Sequence, residues 1–208
     1  MLFKDRFEAG LKLAEKLEKY RDPSQTVVVG LARGGVVVAY ALAQALNLPL
    51  DVVVIRKIGA PLQDELAIGA IDEEGQGFFN DGIIQALNIS PSYLQEEIEK
   101  QKKVAQQRAA LYRQGGKKTD VKGKTVLVVD DGIATGASMK AALYALKQKG
   151  AKKTILAVPV APAEALKKFS KMVDETVCLY TPAVFRAVGQ FYRKFDQTSD
   201  EEVIKLLS

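Results

Sequence analysis

Apolar residues along this chain fall into two rhythms that alternate. Short β-branched runs appear at 26–31 (TVVVGL), 50–55 (LDVVVI), 124–131 (KTVLVVDD), 152–161 (KKTILAVPVA) and 174–182 (DETVCLYTP). They carry apolar side chains at consecutive positions, as strands do when both faces of a parallel sheet are covered. Between them, 36–47, 136–149 and 162–170 place apolar residues at helical spacing. Strand and helix in alternation predict an α/β fold, a central parallel sheet flanked by helices.

The remaining segments are less regular. Residues 1–20 read as an amphipathic helix, broken by DPSQ at 22–25. Residues 56–80 are rich in glycine and turn residues, with short β-like pieces near 66–71 and 77–79. Ser90 before Pro91 marks a helix start, and 92–114 reads as a long, highly charged helix stopped by Gly115 and Gly116. Its charge predicts a solvated or docking element. An aromatic, irregular stretch spans 183–197, and Ser199 with Glu202 forms a capping box for a last short helix.

Composition then narrows the chemistry. The 208 residues show no linker-like break, which predicts one domain over 1–208. Thirty basic against twenty-five acidic residues leave a net charge of +5, which suits an anionic ligand and equally an ordinary solvated surface. No histidine is present, so Ser/His and Cys/His nucleophilic catalysis and histidine-ligated zinc are excluded. The one cysteine, Cys178, can form neither an internal disulfide nor a CxxC centre; its apolar neighbours predict a buried thiol. This usage fits a reducing, cytoplasmic location. No apolar run approaches the ~20 residues of a membrane span, and charges interrupt the amino-terminal helix too often for a signal peptide. No membrane partner is expected.

The chemistry concentrates in VLVVDDGIATGAS, residues 126–138. In α/β sheets ligands bind beyond the carboxyl ends of the strands, where this run sets Asp130 and Asp131. The residues that follow, Gly132, Ile133, Ala134, Thr135, Gly136, Ala137 and Ser138, are mostly small enough for backbone to wrap an anion. The helix starting near Gly136 would aim its free N–H groups and positive dipole end at it. Thr135 and Ser138 add hydroxyls. Two carboxylates would repel a phosphate they touched, so the guest must offer them hydroxyls or bring a divalent cation such as Mg2+. A sugar phosphate has both features. There is no GxxxxGK[ST] motif, and GLARGG (30–35) lacks the spacing of a dinucleotide loop.

These residues resemble the phosphoribosyl pyrophosphate (PRPP) signature of the type I phosphoribosyltransferases. Many members have threonine where this chain has Ala134. GLARGG resembles the family's diphosphate loop, which puts Ala32, Arg33 and Gly34 against the leaving group. RKIGAP (56–61) is similar to the RKxGxxP stretch of adenine phosphoribosyltransferases, with its proline one position early, and implies Arg56 and Lys57 near the diphosphate. The similarity covers about 26–160, and the whole chain looks closest to a group of predicted phosphoribosyltransferases of undefined acceptor.

The resemblance implies a core at about 26–160, a flexible loop and helical insertion at about 57–116 with a mobile hood near 59–82, and a carboxyl-terminal hood segment at about 182–208. It implies attack of a nitrogen nucleophile, in base salvage a nucleobase, on C1 of PRPP with loss of pyrophosphate. Asp130, Asp131, Arg33 and Lys57 would be catalytic, Asp130 and Asp131 also holding Mg2+ directly or through water. Ala32, Gly34, Arg56 and residues 132–138 would bind substrate. Glu65, Asp64 and Asp131 are the candidates for the acceptor's proton. Phe185, Phe191 or Tyr192 would stack on the base, unless they are core packing. A homodimer is common in the similar family. The competing readings are a regulatory protein that binds PRPP without transfer and, on charge alone, a nucleic-acid binder; no nucleic-acid partner is expected.

Overall fold

The computed structural model describes residues 2–116 and 118–208, with the Asp64 side chain outside the described residues. Helix α1 (Arg6–Leu17) leads into β1 (Thr26–Leu31), α2 (Gly34–Leu46) and β2 (Leu50–Val53). Then come β3 (Arg56–Ala60), β4 (Gln63–Ile71), β5 (Gly77–Phe79), α3 (Asp81–Ala86) and α4 (Pro91–Arg113). The chain closes with β6 (Thr125–Val129), α5 (Ala137–Gln148), β7 (Lys153–Val160), α6 (Ala163–Phe169), β8 (Glu175–Tyr180) and α7 (Asp200–Leu207).

Five strands form a parallel sheet in the order β2-β1-β6-β7-β8. Alternate residues of one strand feed different layers. Val27 and Val29 pack with Val126, Val128, Met139, Leu143 and Leu146 under α5, whereas Val28 packs with Leu13, Leu17, Leu42 and Leu127 under α1 and α2. Both faces are therefore dry, as the uninterrupted apolar runs predict. No helix among the described residues is long and apolar enough to cross a membrane.

From β1 the chain goes to β2 on one side, whereas β6 lies on the other. This is the switch point at which α/β sheets open a ligand crevice. The register opposes Gly30 to Val129, so the loops after β1 and β6 leave the sheet side by side.

The segment 57–116 departs most from expectation. Residues 56–80 form an antiparallel three-stranded sheet, β3-β4-β5, and α3 was not anticipated. The register of β3 against β4 slips at Ile58/Gly59 and again at Gly59/Ala60, and such bulges destroy the period of two by which a strand is read from sequence. Helix α4 starts where expected: Ser90 Oγ accepts from Tyr93 N–H at 3.3 Å with Pro91 in the first turn. It docks within the chain at both ends. Tyr93, Leu94 and Ile98 pack on Ile58, Ile68 and Ile71, and Ala105, Ala109 and Tyr112 on Val52, Val54 and Val203.

Two further readings need correction. Cys178 is only half-buried, because β8 is an edge strand with one neighbour. Phe191 and Tyr192 are buried, packed with Phe3, Phe185, Val188 and Phe195. They are core aromatics and cannot lie flat on a ligand ring. Phe185 is half-buried, its ring 5.6 Å from that of Phe191.

Candidate active site at the tips of β1 and β6

Asp130 and Asp131 leave the end of β6 directly against the loop after β1. A Cβ on Gly35 would stand 2.8 Å from Asp130 Oδ1, and one on Gly34 would collide with Asp131 Oδ2. Only glycines let the two loops close on each other here. Asp130 Oδ1 accepts from Asp131 N–H at 2.9 Å. Arg6 Nε, from α1, donates to Asp131 Oδ2 at 2.8 Å. The same guanidinium lies 3.8 Å from the Phe195 ring centroid and donates through Nη1 to Asp196 O at 2.8 Å. Tyr192 Oη donates to Asp131 O at 2.6 Å.

The electrostatics follow from this geometry. Burial, reinforced by the charge of Asp131, pushes the Asp130 carboxyl well above the usual carboxylate range. Burial also raises Asp131, and the Arg6 charge and hydrogen bond oppose that rise. The Tyr192 phenol is pushed up by burial and by the charge of Asp131. Asp130 Oδ2 and Asp131 Oδ1 have no hydrogen-bond partner among the described residues.

The loop from Gly132 to Gly136 is shaped by close approaches. A Cβ on Gly132 would lie 2.6 Å from Val188 Cγ1, and one on Gly136, at φ +78°, 2.6 Å from the Phe169 ring. Ile133 anchors the loop: it is buried and its N–H donates to Val160 O at 3.0 Å. Ala134 and Thr135 stay exposed at the crest.

Helices α1, α3, α4 and α7 have side-chain caps from Asp5, Asn80, Ser90 and Ser199. By contrast α2, after Arg33, α5, after Gly136, and the short α6, after Pro162, have none. The starts of α2 and α5 follow β1 and β6, the adjacent strands at the switch point, so their free N–H groups and positive dipole ends lie at the same edge of the sheet.

The basic residues are arranged unevenly. Ala32 and Arg33 are joined by a cis peptide bond, and the Arg33 guanidinium leans toward α7, with Nη1 3.6 Å from Asp200 Oδ1. Arg56 and Lys57, at the start of β3, line a cleft of about 440 Å3 with Ser138 of α5, Glu65 of β4 and Glu97, Lys100 and Gln101 of α4. Ala134, Thr135, Gly136 and Ala137 line a neighbouring cleft of about 720 Å3 with Phe78, Lys140 and Lys168. The structure thus joins Gly34 to the acid pair and Ser138 to Arg56 and Lys57. It turns Arg33 aside, toward α7. Of the candidates for the acceptor's proton, Glu65 stands in the first cleft, Asp131 is engaged by Arg6, and the side chain of Asp64 lies outside the described residues.

Sequence reasoning passed over Arg6, Gln101 and Lys140. Arg6 sits on an amphipathic helix 125 residues from Asp131, where a charge looks like any solvated one. Lys140 had a readable signal, since it lies one turn inside the helix whose start was already assigned to an anion; its Nζ stands 4.1 Å over the Phe78 ring.

Against known proteins, residues 4–196 match the model of the phosphoribosyl transferase domain, a wider span than the resemblance at 26–160. Over 206 residues the chain is 45% identical to "Putative phosphoribosyl transferase Rv0571c" of Mycobacterium tuberculosis, covering 99% of this chain and 46% of that protein. The chain therefore spans about half the length of the curated relatives it matches over its whole extent. A ribose-phosphate pyrophosphokinase of Pyrococcus furiosus is 47% identical over 58 residues, 27% of this chain and 21% of that one. The crystal structure of TT1426 from Thermus thermophilus is 42% identical, with a TM-score of 0.86 over 100% of this chain and 98% of that one.

Proposed function

The chain belongs to the phosphoribosyl transferase domain family, and on that premise we propose that it transfers the 5-phosphoribosyl group of PRPP to a nitrogen acceptor, a nucleobase, releasing pyrophosphate. One observation carries the reading: the uncapped starts of α2 and α5 and a carboxylate pair lie at the switch point on one edge of the sheet. That is a site for a molecule with an anion at each end and hydroxyls between.

In this reading the N–H groups of 134–138 at the start of α5, with the Thr135 and Ser138 hydroxyls, hold the 5-phosphate. Asp130 and Asp131 accept from the ribose hydroxyls. The start of α2, with Ala32, Arg33 and Gly34, and Arg56 and Lys57 across the crevice, receive the diphosphate. As the C1–O bond breaks, charge accumulates on the leaving oxygens, and fixed donors there stabilise the transition state more than the ground state. The electron pair of the acceptor nitrogen forms the new bond to C1. Its proton passes to a carboxylate or to water on the acceptor's side of C1; Glu65, which lines the Arg56–Lys57 cleft, is the described loop carboxylate that would have to reach it.

The donor set fits Mg2+ in one form only. Among the described residues no group of three or more His, Cys, Asp or Glu is gathered for a metal, and Arg6 already engages Asp131 Oδ2. The free oxygens of Asp130 and Asp131 suit a hard cation that keeps waters and takes its remaining ligands from the substrate. When bound, Mg2+ would neutralise the departing diphosphate.

The competing reading, a protein that binds PRPP without transfer, draws on Arg33 and Asp131 both being engaged within the chain. Incubation with PRPP, Mg2+ and a panel of nucleobases separates the two. Pyrophosphate release that depends on one base supports transfer. PRPP binding with no release across the panel supports the second reading.

A further inference from the structure

Arg56 differs from Arg6 and Arg113, two other part-buried arginines, in the chemistry of its partner. Arg6 and Arg113 donate directly to carboxylates, Asp131 and Asp51, at 2.8 and 2.9 Å. Arg56 Nε instead donates to a neutral amide oxygen, Gln101 Oε1, at 2.9 Å. The amide nitrogen of Gln101 donates in turn to Glu97 Oε1 at 2.7 Å, and Lys100 Nζ takes the other Glu97 oxygen at 3.2 Å. The two outer bonds fix which way the amide faces, because only its oxygen can serve Arg56 and only its nitrogen can serve Glu97.

Two consequences follow for the guanidinium. Its Nε edge is held, while its two terminal nitrogens have no partner among the described residues and remain available as a fork for an oxyanion. Its charge is not cancelled by a directly bonded carboxylate, so it is kept for a ligand. The cleft in front of it also holds Lys57 and Ser138. Helix α4 cannot drift from this position easily: Tyr93 Oη donates to Gly59 O of β3 at 3.1 Å, and Leu94 and Ile98 pack on the β3–β4 core.

We propose that α4 is part of the active site and that Gln101 is a positioning residue, which sets Arg56 to grip the diphosphate end of the substrate. This rests on the reading given under Proposed function and adds a wall to that site.

The test is a double-mutant cycle on ligand affinity, read by calorimetry with inorganic pyrophosphate and, separately, ribose 5-phosphate. Gln101→Leu, close in size and in helix propensity, removes both outer bonds. It should weaken pyrophosphate about five- to tenfold, the order of one ordinary hydrogen bond, since Gln101 acts on the ligand only through Arg56. Ribose 5-phosphate, which has no diphosphate, should bind as to the parent chain. In an Arg56→Met background the same substitution should change pyrophosphate affinity by less than about twofold. Unchanged pyrophosphate binding in Gln101→Leu would overturn the role of α4 alone. So would an equal loss for both ligands, or an equal loss in both backgrounds, each of which marks a general structural effect. A parent chain that binds neither ligand would overturn the phosphoribosyl reading itself, and this inference with it.

Discussion

Arg6 Nε lies 2.8 Å from Asp131 Oδ2, bridging the first helix and the loop beyond β6, the middle strand of the parallel sheet. The pair is mostly enclosed, at 12% and 15% side-chain exposure, and breaking it would leave a carboxylate in a low-dielectric site without its counter-charge. Arg6→Met should therefore destabilise the fold by about 2–4 kcal/mol, measured by urea unfolding. It should also raise the Asp131 pKa further, because the cation that opposes the effect of burial is gone.

Asp130 carries the opposite expectation. Its folded-state pKa is raised by burial and by Asp131, so the folded chain binds a proton that the unfolded chain has released. The stability this provides is full below the unfolded carboxylate value, near 3.9, and is lost as pH rises through the folded value. Asp130→Asn removes the charge but not the shape. It should raise the melting temperature by roughly 2–4 °C at pH 8, the response of a chain this size to about 1 kcal/mol, and change it little at pH 4, while abolishing transfer. A thermal scan of both proteins across that range checks the sign.

Gly136 tests the phosphate loop. With φ at +78° and the Phe169 ring in the way, Gly136→Ala should cost about 1–2 kcal/mol from the left-handed backbone alone. Displacing the start of α5 should weaken ribose 5-phosphate binding as well. Chemical denaturation and calorimetry read the two effects separately.

Ala134 sits exposed on the crest of that loop, where the resemblance places a threonine in many relatives. Ala134→Thr adds one hydroxyl donor without burying anything. It should tighten phosphate-end binding by about two- to fivefold, the worth of one solvent-competed hydrogen bond, with no change in melting temperature.

The parallel sheet was legible because its strands are continuous apolar runs with both faces covered, and β1 occupies the predicted residues 26–31. The acid pair and loop were legible because all of their chemistry lies within thirteen consecutive positions. What could not be read is what depends on distance along the chain. The Arg6–Asp131 pair spans 125 residues and the Arg56–Gln101 bond 45; no local periodicity encodes either. Strand β3 was hidden for another reason, since bulges at Ile58/Gly59 and Gly59/Ala60 break its alternation. For the aromatics near the carboxyl terminus, stacking on a ligand and core packing both stayed open, because composition cannot tell a ring packed on Phe3 from one left free; Phe191 and Tyr192 are core.

Titration of PRPP with Mg2+ into the parent chain and into an Asp130→Asn/Asp131→Asn variant tests the central claim most directly, with circular dichroism confirming that both are folded. The parent should give saturable, one-to-one heat and the variant a loss of at least about tenfold in affinity, as expected when charged hydrogen-bond acceptors for the ribose hydroxyls are removed. Equal affinity in the two folded proteins, or no heat with either, would contradict it.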